Sequence, residues 1–90
     1  MNIYLISREH ATYGDYESAV VIAQNEESAR NIYPGEDYED PGKVVIMDWN
    51  NAKSYTGWVE KKEDVKVYFL GVARPLEDKE RIVCSSYIGG

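Results

Sequence analysis

Residues 13–35 read YGDYESAVVIAQNEESARNIYPG. This stretch decides the fold, because an apolar run, a helix cap and a helix stop follow one another without a gap. Residues 19–23, AVVIA, are unbroken and rich in β-branched side chains, the pattern of a strand covered on both faces. Asn25 then stops the strand, since its side-chain oxygen can accept a bond from an orphan N–H of the following turn. Glu26 and Glu27 place negative charge where the helix dipole favours it. Ala29, Ile32 and Tyr33 fall at i, i+3 and i+4 as one apolar stripe on a short helix, which Pro34 and Gly35 end.

Working outward, residues 2–7 alternate, with Ile3 and Leu5 on one side and Tyr4 and Ile6 on the other, and predict an opening strand. Residues 8–16 are polar, contain Gly14 and Asp15, and make a connection too long for a two-residue hairpin. Beyond the helix, residues 35–42 (GEDYEDPG) form a solvated acidic loop. Strand character resumes over 43–49 through Val44, Val45, Ile46 and Met47, whereas 50–64 carries no decisive pattern. Residues 65–73 (VKVYFLGVA) are the best periodic strand, with Val65, Val67 and Phe69 on one face and Lys66, Tyr68 and Leu70 on the other. Gly71 marks a bulge or a close backbone approach there. Pro75 ends that strand, residues 76–81 turn the chain, and 82–88 supply the last strand. The expected order is β-β-α-β-β-β. That order describes a single α+β domain over residues 1–90, a small mainly antiparallel sheet of about five strands with one short helix on one face. The other face is left partly open, so a homo-oligomer is expected.

Composition narrows the function. A chain of 90 residues cannot enclose a large active site. Sixteen acidic against ten basic residues give a net charge of −6, which argues against phosphate-backbone binding and favours basic partners. Eight Tyr and two Trp against one Phe favour side chains with apolar rings and polar tips, which suit binding surfaces. A single cysteine, Cys84, excludes an internal disulfide and points to a reducing compartment. With no signal-peptide pattern over residues 1–10 and no long apolar span, the expected location is a bacterial cytoplasm, away from membranes.

His10 and Cys84 are the only members of their types and lie far apart in sequence, so no nucleophile-base-orienter set can be assembled. Cys84 is expected to be buried and structural and His10 exposed, and the chain is not expected to be an enzyme. Glu36, Asp37, Glu39 and Asp40 lack the ligand spacing of a calcium loop. No metal or other cofactor is therefore expected. The same four carboxylates could instead face a protein partner by imitating a phosphate backbone. A second set lies at predicted strand ends: Arg8, Tyr13, Tyr16, Trp58, Arg74, Ser85, Ser86 and Tyr87. Aromatic rings can stack on a base, and Arg and Ser can hold a phosphate without a net basic protein. Arg74 is the first choice among them, because Pro75 holds its backbone extended.

YGDYESAVVIAQNEESARNIYPG and VKVYFLGVARP, followed by IVCSSYIGG, resemble small proteins encoded by tailed bacteriophages and prophages, with residues 37–63 largely outside the likeness. By analogy with small non-enzymatic phage proteins, the resemblance implies a counter-defence binding protein that sequesters a nucleotide-derived signal molecule. The alternative is an acidic protein-protein inhibitor, a nucleic-acid mimic of the anti-CRISPR or anti-restriction type, acting on a host defence enzyme. Neither role involves direct nucleic-acid binding.

Overall fold

In chain order the elements are β1 (Asn2–Ser7), β2 (Tyr16–Ala23), α1 (Glu26–Arg30), β3 (Ile32–Tyr33), β4 (Val45–Ile46), β5 (Lys66–Val72) and β6 (Arg81–Tyr87). Two 3₁₀ turns, Trp49–Ser54 and Lys62–Asp64, lie between β4 and β5. The computed structural model describes residues 1–75 and 78–89, so Gly90 and part of the expected turn, Leu76 and Glu77, fall outside the described residues.

The alternation in β1 places it inside a four-stranded antiparallel sheet of order β5-β1-β2-β6. Tyr4 opposes Val21 and Ile6 opposes Ala19, so one face gathers these residues with Ala23. Ala29 of α1, Ile32 of β3, and Met47, Ala52, Trp58, Val59 and Val65 close over that face as one core. Ile6, Val21 and Ile32 are fully buried, and each contributes about 1.5–3 kcal/mol by leaving water. β5 and β6 are opposite edges, and at one end of the sheet Ala73 N–H donates to the Met1 carbonyl (2.9 Å) and Gln24 N–H donates to Glu80 Oε2 (3.2 Å).

The structure is thus a mainly antiparallel sheet with little helix, but among the described residues it has six strands in two sheets, since β3 and β4 pair only with each other. The helix ends earlier than the apolar stripe predicts. Asn25 does cap it, with Oδ1 accepting from Ser28 N–H at 2.8 Å, but Asn31 is the last capping residue and Ile32 and Tyr33 are extended. The reason is tertiary. Met47 N–H donates to the Asn31 carbonyl and Trp49 Nε1–H donates to Asn31 Oδ1, both at 2.8 Å. The expected strand over 43–49 shrinks to Val45–Ile46, because Asp48 turns the chain by accepting from Asn50 N–H and starting the first 3₁₀ turn.

Residues 19–23 are apolar on both faces, and the expected cover on the second face is present only in part. Val20 and Ile22 point away from the core cluster, as do Ile3 and Leu5; Ile22 is buried there, whereas Val20 is half-buried. Cys84, expected to be buried, is exposed on that second face because it pairs with Val20. Leu70 likewise leaves its predicted face: it is the extra residue where the β1–β5 register shifts, immediately before Gly71.

Candidate functional site

Antiparallel pairing of β2 with β6 sets Tyr16 opposite Tyr87, and their rings lie 4.9 Å apart between centroids. Tyr33 stands 5.8 Å beyond Tyr16 in an edge-to-face contact, and Tyr55 stands 5.5 Å beyond Tyr33. Four tyrosines from four distant segments therefore form one row. Two glycines let the row close up, since a Cβ on Gly35 would collide with the Tyr33 ring and one on Gly89 with the Tyr87 ring. Tyr33 is anchored further by its hydroxyl, which donates to the Thr56 carbonyl.

Tyr16 and Tyr87 of the row border a cleft of about 450 Å³ that runs between edge strand β6 and the loop after β3. Ile82, Val83, Cys84, Ser85 and Tyr87 form one bank, and Pro34, Glu36, Tyr38 and Lys43 the other. Ser85 Oγ–H donates to the Pro34 carbonyl at 2.8 Å and ties the banks together. A second hollow of about 340 Å³ shares Tyr16, Glu36 and Tyr38 and continues past Tyr33, Ser54 and Tyr55. Tyr38 projects almost wholly into solvent and Tyr87 is 54% exposed, so both rings offer faces to a ligand.

Burial, followed by the neighbouring phenols, pushes Tyr33 up to about 12, and burial is also the main cause that raises Tyr16. Both therefore remain neutral hydrogen-bond donors at physiological pH. Asp37 Oδ1 accepts from the amides of Glu39 (2.9 Å) and Asp40 (3.4 Å), so this carboxylate shapes the acidic loop that carries Tyr38. Lys43 is the only basic side chain among the residues lining the cleft.

Of the predicted ligand-binding residues, Tyr16, Ser85 and Tyr87 meet at the cleft. The others do not. Arg8 lies 3.8 Å from Asp15 within the connection before β2, where Asp15 is held below the usual carboxylate range chiefly by the Thr12 amide. Tyr13 is exposed on that same connection. Trp58 is 5% exposed and belongs to the core, because the segment after the first 3₁₀ turn folds inward. Arg74 is exposed past the end of β5 and lines neither hollow, and Ser86 sits on the opposite face of β6 from Ser85. In the acidic set, Glu36 and Asp37 reach the hollows, while Glu39 and Asp40 follow along the exposed loop. The residues that the sequence reading missed are Tyr33, Tyr38, Tyr55 and Lys43. The excess of tyrosine over phenylalanine was the signal for the three tyrosines, and Lys43 had none.

Among the described residues no three His, Cys, Asp or Glu side chains converge as a metal site would need, and no helix is long and apolar enough to cross a membrane. Comparison of the chain with protein-family models, curated proteins and solved structures finds no match.

Proposed function

We propose that this chain is a non-enzymatic binding protein whose tyrosine-lined cleft takes up a nucleoside-type ligand, the flat and hydroxyl-rich part of a nucleotide-derived signal, and withdraws it from solution. The observation that carries this reading is the Tyr87–Tyr16–Tyr33–Tyr55 row, whose first two rings line an open cleft of about 450 Å³ and whose last two line the adjoining hollow. Stacking on such rings is worth about 1–3 kcal/mol per base. The Glu36 carboxylate suits sugar hydroxyls as an acceptor, and Ser85 and Lys43 suit a single anionic group. Sequestration of this kind would serve a phage against a bacterial immune signal, the setting that the resemblance implies.

Calorimetry against adenosine, guanosine, and cyclic and ADP-ribose-type nucleotides tests the reading. At least one should bind, Tyr87→Ala should weaken it on the order of tenfold, in line with the stacking range, and Arg74→Ala should leave it unchanged. Silence across the panel at high protein concentration removes the proposal.

A second reading, the acidic inhibitor of a host defence enzyme, is favoured by one observation: Tyr38 is 99% exposed, between Asp37 and Glu39. An exposed aromatic ring flanked by carboxylates is an anchor for a basic protein surface. Under this reading the nucleotide panel stays silent while a basic partner protein binds.

A further inference from the structure

The geometry points to a homodimer interface on the sheet face turned away from the core, with two copies packed face to face about a two-fold axis parallel to the strands. Strand register lays out that face as three cross-strand rows. The middle row, Tyr68–Leu5–Val20–Cys84, is apolar. One outer row is Lys66–Ser7–Ser18–Ser86, and the other is Gly71–Ile3–Ile22–Arg81. Ile3, Leu5 and Val20, each half-buried, thus form an apolar centre outside the core cluster, beside Ile22, which the chain already buries, with polar and charged groups at the margin. An apolar centre with a polar rim is the anatomy of a protein interface.

Three features select a second copy as the occupant. The first is fit. A two-fold along the strands lays Tyr68 of one copy over Cys84 of the other and Leu5 over Val20, so large side chains meet small ones in the middle row. The second is charge. Although the chain carries a net charge of −6, the three rows contain no carboxylate of their own: Lys66 pairs with Glu9 at one corner, and Arg81 occupies the diagonally opposite one. The same axis sets Lys66 over Ser86 and Arg81 over Gly71, where a Cβ would meet nothing within 4 Å, and no cation faces another. The third is closure. Both edge strands carry an extra residue, Leu70 in β5 and Val83 in β6, where the register shifts. Bulged edges resist strand pairing, so association through the face ends at two copies.

Size sets the strength. Four strands about 4.8 Å apart, with rows about 6.7 Å apart, cover roughly 400 Å² of flat footprint per copy. That is about half the area each partner contributes to a standard stable interface. The pair is therefore reversible, with dissociation in the micromolar range or weaker.

Sedimentation equilibrium of the full chain under reducing conditions, from low micromolar to several hundred micromolar, is the test. Wild type should shift from monomer to dimer. Tyr68→Lys and Cys84→Lys alter exposed positions in the middle row, so the fold tolerates them, and each should weaken association at least tenfold. Val72→Lys, which lies on the same strand but faces the core side beside Asn2, should leave association unchanged. A wild type that stays monomeric throughout overturns the inference. So does a dimer that both middle-row variants leave intact, or one that Val72→Lys weakens as much as they do.

Discussion

Tyr33 shows how a single residue changes meaning between sequence and structure. At i+4 from Ala29 it reads as part of a helical stripe, yet in the fold it is the third ring of the tyrosine row and donates to the Thr56 carbonyl. Its pKa rises from 10.0 to about 12, first because burial disfavours the phenolate. A phenol with a higher pKa folded than unfolded keeps its proton longer in the folded state. Its stabilisation is therefore complete below about pH 10 and is lost as the pH climbs towards about 12. The urea midpoint should accordingly fall across that window. Tyr33→Phe should lower the midpoint at pH 7, through loss of the bond to Thr56, and should flatten the alkaline fall. An equally steep fall in the variant would assign it to the other phenols, Tyr16 foremost.

The helix start and the helix stop obey different logic at the scale of the element. Asn25 caps α1 through Ser28 N–H, a contact within four residues, and it was legible from the sequence for that reason. Asn25→Ala should destabilise the fold by about 1 kcal/mol. For a domain of this size that corresponds to a thermal midpoint roughly 4–8 °C lower. An unchanged midpoint would mean that tertiary contacts, and not the cap, hold the first turn. The stop at Asn31 was not legible. It depends on Met47 and Trp49, which approach only when β4 pairs with β3. Local periodicity favours one more helical turn, and two long-range hydrogen bonds outweigh it.

For the whole molecule, the cleft and the proposed dimer face meet at edge strand β6: the Tyr16–Tyr87 row is on the core side, whereas Cys84, which stands in the middle row of the dimer face, also lines the cleft. Pairing of two copies should therefore touch the cleft at its Cys84 end. Ligand titrations above and below the dimer dissociation constant should give per-site affinities that differ, with one ligand per chain. An affinity independent of protein concentration would mean that the second copy stays clear of the cleft.

The sequence by itself determined β1, β2, β5 and β6 to within a few residues, the Asn25 cap, the acidic loop, and an apolar surplus on the second face of β2. Each follows from patterns spanning a few residues, in which alternation, capping and turn chemistry act directly on the backbone. Only the tertiary structure decided that β6 lies beside β2, that Arg8 and Arg74 stay away from the cleft while Tyr16 and Tyr87 meet there, and that Trp58 is core. Those outcomes depend on which distant segments share a sheet, and that choice is made by burying Ile6, Val21 and Ile32 together, a condition on the whole chain that no local window contains.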